Sequence, residues 1–311
     1  MAAIGSSSTS SRISASSSTS DPAAGDEASP ATRAFGWLRL THPFPSVLDG
    51  VVSGGVALIG GGAIGLGLRV GLAMTLLQLG IGTVNDLVDS PRDAGRKPGK
   101  PIPSGLVRPG PARGLALVLF VSGIALASVA PVVAGLAVLT IAIGLLYDLR
   151  LKGTALSWLP FALGIPILPL FGWLSTGRDL PLVFAVLLPA AIVAGAALAI
   201  GNALVDVERD AASGTSSVAV ALGRDRARRV VAGLLAAIGA AAASSAIAFA
   251  ASKAEGLLLA AIALIPVVAA VAAGPTSSTA RRERAWQAEA IGLAALASAW
   301  LVVVVRAGGL A

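Results

Sequence analysis

The sequence predicts an all-α integral membrane protein, a bundle of about nine transmembrane helices, from its composition and its apolar segments. Of the 311 residues, 55% are hydrophobic and only 13% are charged, and the mean hydropathy is +0.84. A soluble domain carries about 25% charged residues, so this composition excludes an ordinary soluble fold. Apolar stretches of about 20 residues, long enough to cross a hydrocarbon core, recur along the chain. Such stretches are predicted to be helices, because a helix satisfies its own backbone hydrogen bonds in lipid.

The N-terminal segment differs from the rest in composition. Residues 1–32 are rich in Ser, Ala and Thr and contain almost nothing that could form a core. We expect a disordered tail there, followed by one transmembrane domain over residues 33–311. No apolar stretch of about 7–15 residues follows a basic segment near the start, so the tail lacks the pattern of a secretory signal.

Nine apolar segments follow the tail, and each is predicted to be one transmembrane helix. They cover about residues 46–66, 70–89, 111–130, 132–149, 155–174, 181–205, 229–250, 255–274 and 286–305. The third and fourth segments are separated only around Pro131.

The distribution of positive charge predicts the orientation of these helices. Nine spans place the N-terminal tail and every second loop on one side, and that side holds 19 of the 23 Lys and Arg residues. Cytoplasmic loops collect Lys and Arg, so the N-terminus and the four basic loops are expected in the cytoplasm, and the C-terminus on the opposite side. The net charge of +7 does not indicate a nucleic-acid-binding protein, since the charges lie in short clusters of a mostly apolar chain.

The few carboxylates cluster at the ends of two predicted helices. Of 16 Asp and Glu residues, three lie in NDLVDSPRD at residues 85–93 and three in NALVDVERD at residues 202–210. In each segment an Asn and two Asp are spaced by four residues: Asn85, Asp89 and Asp93, and Asn202, Asp206 and Asp210. Four residues turn a helix by about 400°, so each trio is predicted to line one helix face, on the cytoplasmic side.

Two alternatives to this arrangement stay open. Pro91 can end the first helix early, which would place Asp93 on the following loop. The acids can also be solvated charges that cap the helix ends. Two matching clusters in an acid-poor chain favour a common function instead.

The residue types in these clusters indicate a hard metal ion. Several carboxylates on one helix face repel each other unless a cation holds them together. Oxygen ligands without His or Cys nearby suit Mg²⁺. Since Mg²⁺ is usually bound by one or two carboxylates and by substrate phosphates, two acidic faces would bracket a Mg²⁺-bound diphosphate. Cysteine nucleophiles, thiolate metal sites and disulfides are excluded, because the chain has no Cys.

Basic residues accompany the acidic segments and are candidate diphosphate ligands. They are Arg92, Lys97 and Lys100 after the first segment and Arg209 within the second. Arg150 and Lys152 follow Tyr147, the only tyrosine of the chain, on the loop after the fourth span. Each basic residue has an alternative role as a determinant of topology.

At these positions the sequence resembles the UbiA prenyltransferase family. NDLVDSPRDAGRKPGKPIPSG at residues 85–105 looks like the first aspartate-rich motif of that family. NALVDVERDAASGTSSVAVALG at residues 202–223 resembles its second motif, and YDLRLK at residues 147–152 is similar to its Tyr/Lys loop. The resemblance covers residues 33–311. Two positions depart from it: Lys100 stands where the family often has Arg, and the loop after the second motif lacks the usual basic residue.

The resemblance implies Mg²⁺-dependent transfer of a polyprenyl group from its diphosphate to an acceptor within the membrane. It implies metal ligands at Asn85, Asp86, Asp89, Asp93, Asp206 and Asp210. It implies diphosphate ligands at Lys97, Lys100, Arg150, Lys152 and Asn202. Of all these residues, Asp89, Asp206 and Lys152, together with Tyr147, are expected to be catalytic.

The acceptor is not determined by the sequence. Our first expectation is an aromatic quinone precursor such as 4-hydroxybenzoate or dihydroxynaphthoate. The alternatives within the family are a lipid glycerol phosphate, a tetrapyrrole or phosphoribose. A secondary transporter is an alternative from another class, although transporters place their charged sites near the bilayer midplane rather than at helix ends. A catalytically inactive assembly protein is a third.

Two polar residues near the first span have no assigned role. Asp49 is a candidate for acceptor binding, because ionisable residues within a span are often functional, and it is also a candidate for an interaction with the helix dipole. His42 is the only histidine and lies beside Pro43, so a role in a turn or an interface is expected.

Overall fold

The computed structural model describes residues 29–95, 99–274 and 276–308, apart from the side chains of residues 246 and 247, and this part of the chain contains helices and no strand. The predicted tail lies outside the described residues except for its last four positions, where the first helix begins at Pro30.

Thirteen α-helices and one π-helical turn form the described part of the fold. The first seven helices are α1 (Pro30–Leu40), α2 (Pro43–Ile59), α3 (Ile64–Asp93), α4 (Pro109–Ala127), α5 (Pro131–Leu146), α6 (Leu159–Gly164) and α7 (Ile167–Leu174), with the π-helical turn Tyr147–Leu151 directly after α5. The others are α8 (Phe184–Val205), α9 (Val207–Ala212), α10 (Val218–Leu222), α11 (Arg224–Phe249), α12 (Lys253–Ala272) and α13 (Thr279–Arg306).

The helices confirm the predicted all-α membrane bundle. Seven segments of the described chain are long and apolar enough to cross a membrane: α3, α4, α5 with its π-helical turn, α8, α11, α12 and α13. The other two predicted spans are shorter, since α2 has 17 residues and the fifth span is divided into α6 and α7. Pro166 lies at this division and has no backbone N–H to continue a regular helix.

Glycines bring α2 and α3 into close contact near the start of the bundle. A Cβ atom on Gly54 would lie 2.6 Å from the carbonyl oxygen of Gly67, and one on Gly50 would lie 2.6 Å from that of Gly71. Small residues at such a crossing let two helix backbones approach each other. The contact fixes α2 against the helix that carries the first acidic segment.

Burial distinguishes inner helices from lipid-facing ones. The apolar windows of α8 and α13 are 56% and 50% buried, whereas that of α12 is 17% buried and that of α4 is 28% buried. The helix that leads into the second acidic segment therefore lies in the interior of the bundle. Since α8 is enclosed by neighbours, its end is held by contacts from several other helices.

Candidate functional site

The first acidic segment, Asn85–Asp93, occupies the last turns of α3. The helix continues through Pro91 to Asp93, so the alternative in which Asp93 lies on a loop is wrong. Asp86, Asp89 and Asp93 are all buried. A buried charge is costly without a partner, so the neighbours of these carboxylates decide what the segment can do.

Asp86 is held by two basic side chains from outside α3. Its Oδ1 atom lies 2.5 Å from Nζ of Lys100 and 2.9 Å from Nε2 of His42. Two donors from outside α3 thus converge on one carboxylate oxygen. His42 adopts a left-handed backbone with φ of 50° between α1 and α2, and this turn directs its ring toward α3.

Lys152 connects Asp89 with Asn85. Its ammonium group forms an ion pair with Asp89 and donates a hydrogen bond of 3.0 Å to Oδ1 of Asn85. The amide of Asn85 donates in turn to Asp148, at 2.6 Å. Asp148 lies in the π-helical turn, and such turns are frequent at functional sites. The turn thus places the acid Asp148 and the following Lys152 against the same face of α3, where both contact Asn85.

The second acidic segment, Asn202–Asp210, departs from the predicted single helix. Helix α8 ends at Val205, Asp206 lies at a break with φ of −108° and ψ of 14°, and α9 begins at Val207. Asn202, Asp206 and Asp210 therefore do not share one uninterrupted helix, although the N–H of Asp210 still donates to the carbonyl oxygen of Asp206 at 2.9 Å. A long-range contact accounts for the break, because Arg282 donates a hydrogen bond of 3.1 Å to the carbonyl oxygen of Val205.

Charged contacts surround this break. Asp206 forms an ion pair of 2.6 Å with Arg209, three residues along the chain. Glu208 lies 2.5 Å from the buried Arg282 of α13 and 2.8 Å from Arg224 of α11. Burial would raise the pKa of Glu208, but its hydrogen bonds and the two arginines outweigh this effect and lower that pKa below the ordinary value of 4.5.

The chain around the π-helical turn contacts both acidic segments or the chain beside them. Lys152, which follows the turn, forms an ion pair with Asp89 of the first segment. The loop after the π-helical turn also binds the chain that follows the second segment, since Ser216 donates its N–H to the carbonyl oxygen of Gly153 at 3.1 Å. The loop that follows Tyr147 therefore connects the first acidic segment with the chain after the second.

The remaining predicted residues differ in their placement. Arg150 is exposed and has no ion pair within the part of the chain that the structure describes. Asn202 is half-buried near the end of α8. Lys97 lies outside the described residues. The structure therefore brings together Lys100 and Lys152 with the acids of α3, and it leaves Arg150 apart.

The donor set fits a hard cation that is shared with a substrate. Within the described ranges, no three Asp, Glu or His residues form a preformed metal cluster. The carboxylates instead contact lysine and arginine side chains, and they come from two separate segments. Oxygen ligands from two sides, without a closed protein cage, are what Mg²⁺ needs when phosphates complete its coordination. The residues present therefore fit Mg²⁺ with a diphosphate.

Two contacts of the first acidic segment were missed from the sequence. Asp148 hydrogen-bonds Asn85 from 63 positions away, and His42 reaches Asp86 from 44 positions away. A signal existed for Asp148, because it lies within the YDLRLK segment. For His42 the signal was weaker: it is the only histidine and lies at the same end of the bundle as the acids.

Comparison with known proteins gives three kinds of match. The family model described as the UbiA prenyltransferase family matches residues 50–302. Digeranylgeranylglyceryl phosphate synthase of Methanopyrus kandleri is 34% identical over 201 residues, which cover 62% of this chain and 72% of that protein. The enzyme of the same name from Halobacterium salinarum strain R1 is 33% identical over 215 residues, which cover 67% and 76%. A solved UbiA homolog from Archaeoglobus fulgidus bound to DMAPP and Mg²⁺ shares the fold, with a TM-score of 0.68 and 18% identity over 87% of this chain and 99% of that one.

Proposed function

The chain belongs to the UbiA prenyltransferase family, and on that premise we propose that it transfers a polyprenyl group from its diphosphate to a hydroxyl group of a glyceryl phosphate lipid. Family membership makes the protein a membrane-embedded prenyltransferase and not the secondary transporter considered above. The proposal concerns the substrates, the metal ion and the residues that bind them.

The acceptor is proposed from the relatives. Both named relatives match over more than two thirds of their length and are digeranylgeranylglyceryl phosphate synthases. Their name describes a glyceryl phosphate that carries two geranylgeranyl groups. It supports geranylgeranyl diphosphate as the donor and a singly substituted glyceryl phosphate as the acceptor. This favours the non-aromatic alternative over the aromatic quinone precursor that we first expected.

One observation supports the reaction type most directly. Basic side chains from two separate loops, Lys100 and Lys152, each contact a carboxylate of the first acidic segment. A diphosphate with its metal ion needs both kinds of group, carboxylates for the metal and N–H donors for the phosphate oxygens. In this site each of the two lysines directly contacts a carboxylate.

Mg²⁺ is the metal ion that we propose for this site. Its ligands would be Asp86, Asp89 and Asp93 from the first acidic segment, with Asn85 beside them, and Asp206 and Asp210 from the second. When bound, the ion neutralises negative charge on the diphosphate.

The protein's own residues then bind the leaving group and protect the reacting carbon. Lys100 and Lys152 would donate hydrogen bonds to diphosphate oxygens and stabilise the charge that develops there. Tyr147 packs edge-on against Phe161, with ring centroids 5.7 Å apart, beside Lys152. The apolar faces of the surrounding helices would hold the prenyl chain and exclude water from the allylic cation.

The orientation in the membrane is also a proposal. We infer from the excess of Lys and Arg on one side that the N-terminus and the site lie in the cytoplasm and the C-terminus on the opposite side. Contacts of Lys100 and Lys152 with the first acidic segment, and hydrogen bonds of the loop at residues 152–158 with the chain after the second, support one common end for these residues.

Product formation by the purified full-length protein in lipid vesicles tests this function. Geranylgeranyl diphosphate is supplied with MgCl₂ and, in separate reactions, with geranylgeranylglyceryl phosphate, 4-hydroxybenzoate or dihydroxynaphthoate. We expect a new ether product by mass spectrometry only with the glyceryl phosphate, and none after EDTA. A prenylated aromatic product would contradict the proposed acceptor. Product formation that persists in EDTA would contradict the proposed metal ion.

A further inference from the structure

A carboxylate lies in the apolar part of the bundle, away from the acidic segments. Asp49 of α2 accepts a hydrogen bond of 2.7 Å from Nε2 of Gln78 on α3. Among the residues that the structure describes, no Lys, Arg or His side chain pairs with Asp49. An ionisable group within a membrane span is costly, and this one has no counter-charge to offset the cost.

The side chain of Asp49 points into the bundle. The lipid-facing stripe of α2 is marked by the exposed residues Val47, Val51 and Leu58. Asp49 is two positions from both Val47 and Val51, which corresponds to a rotation of about 200° around the helix. The residue as a whole is partly buried. Asp49 therefore lies on the face of α2 that is turned toward the bundle and not toward the lipid.

The pair lies directly below the first acidic segment. On α2, Asp49 follows His42 by seven residues, which is two helical turns and about 10 Å. On α3, Gln78 precedes Asp86 by eight residues, about 12 Å in the opposite chain direction. The contacts His42–Asp86 and Asp49–Gln78 are thus two successive polar links between the same two helices. The second link lies deeper in the membrane than the first, on the side of the acidic segment where the apolar helix faces would hold the prenyl chain.

One oxygen of Asp49 has no partner. Gln78 donates to Oδ2, and Oδ1 has no hydrogen bond to any described residue. Protein does not fully enclose Oδ1, which is not among the buried polar atoms without a partner. It is therefore a hydrogen-bond acceptor that no described residue occupies.

We propose that Asp49 and Gln78 form a subsite for the acceptor hydroxyl, in which Asp49 acts as the general base of prenyl transfer. This inference rests on the proposed function, because it assigns a role in the same reaction. The hydroxyl of the glyceryl phosphate lipid donates to Oδ1 of Asp49, while Gln78 holds the carboxylate in place through Oδ2. The site thereby selects an acceptor with a hydroxyl group near the prenyl carbon.

The step is balanced without a further reactant. The bond between C1 of the prenyl group and the diphosphate oxygen breaks, and its electron pair leaves with the diphosphate. The hydroxyl oxygen of the acceptor forms a new bond to C1. Its O–H bond breaks, and the proton passes to the carboxylate of Asp49. An alcohol needs such a base, since its own proton is otherwise retained on the product oxygen.

A purely structural role predicts a different result from a catalytic one. If Asp49 only joined α2 to α3, any acceptor oxygen at this position would keep the contact, because Gln78 is the donor of the hydrogen bond. Asp49→Asn keeps that oxygen and removes the base. Gln78→Met removes the donor and keeps the carboxylate. Asp179→Asn, at an exposed loop position, is the matched control for loss of one acidic charge.

The experiment measures steady-state ether formation from geranylgeranyl diphosphate and geranylgeranylglyceryl phosphate, together with the melting temperature in detergent. For Asp49→Asn we expect kcat to fall by about 100-fold or more, with the donor KM within about twofold and the melting temperature unchanged. Asp49→Glu should recover part of the lost kcat. The Asp179→Asn variant should match the wild type.

The outcomes separate this inference from the proposed function. Ether formation by the wild type with an unchanged kcat in Asp49→Asn would overturn the role of Asp49 and leave the proposed function intact. A loss of kcat that is matched by a lower melting temperature, and shared equally by Gln78→Met, would assign the pair to structure instead. Absence of any ether product from the wild type would overturn the proposed function and this inference together.

Discussion

The two acidic segments carry similar sequences but differ in structure. The first lies on the uninterrupted helix α3, and its acids Asp86 and Asp89 are buried against Lys100 and Lys152 from distant loops. The second lies across a break between α8 and α9, where Asp206 is partly exposed and pairs with the adjacent Arg209. The difference teaches how much of each ion pair depends on the fold. The buried Asp86 and Asp89 are paired with lysines that only the folded chain brings to them, whereas Asp206 is paired with a residue three positions along its own chain and is open to water.

The largest effect is expected from the acids that we propose as metal ligands. Asp89→Asn and Asp206→Asn should each lower the rate of ether formation by about 100-fold or more, because each removes charge where the metal and diphosphate bind. Only Asp89→Asn should also lower the melting temperature clearly, since it leaves Lys152 without its counter-charge. Circular dichroism in detergent supplies both the helical content and the melting temperature. Equal melting temperatures for the two variants would contradict the contrast between the segments.

An intermediate effect is expected at Asp148, which orients Asn85 of the first acidic segment. Asp148→Ala should lower kcat/KM for the donor by about tenfold, because loss of a supporting hydrogen bond loosens a group that binds metal or diphosphate. Asp148→Asn keeps an acceptor oxygen for Asn85 and should lose less. Steady-state kinetics with varied donor measure both. A loss in Asp148→Asn as large as that in Asp148→Ala would show that the charge matters and not the hydrogen bond.

The smallest effect is expected beside the second acidic segment, at Glu208. Because its pKa is lowered in the folded protein, its ion pairs contribute fully above pH 4.5, its ordinary value, and this contribution is lost as the pH falls through the lowered pKa. The difference in melting temperature between wild type and Glu208→Gln should be small, since Glu208 is half-exposed, and should shrink below pH 4.5. A difference that grows on acidification would contradict the sign of this pKa change.

Local patterns in the sequence predicted the parts of the structure that depend on local forces. Apolar stretches located the helices, because hydrocarbon burial acts on each stretch separately. The four-residue spacing predicted the face of α3 that carries Asn85, Asp89 and Asp93. The same spacing did not predict the helix break at Asp206, where Arg282 of another helix donates a hydrogen bond to the carbonyl oxygen of Val205.

The contacts of the site could not be derived from spacing. Lys152 reaches Asp89 across 63 positions and His42 reaches Asp86 across 44, so these contacts exist only once the helices have packed. Lys100 and Lys152 were predicted as site residues because basic residues near acids are expected to bind diphosphate. His42 was expected in a turn or an interface; its left-handed backbone places it in a turn, and its contact with Asp86 was not predicted. Long-range side-chain contacts of this kind need the fold itself.

The short length of α2 has a consequence for the membrane around the protein. Its 17 residues span about 25 Å, less than the roughly 30 Å of a typical hydrocarbon core. Helix α7 packs against it, with Gly172 next to the backbone of Ser53. We therefore expect lipids beside Val47, Val51 and Leu58 to meet a small hydrophobic mismatch, which local thinning of the bilayer would relieve. A change in acyl-chain length would then act directly on the helix that carries Asp49.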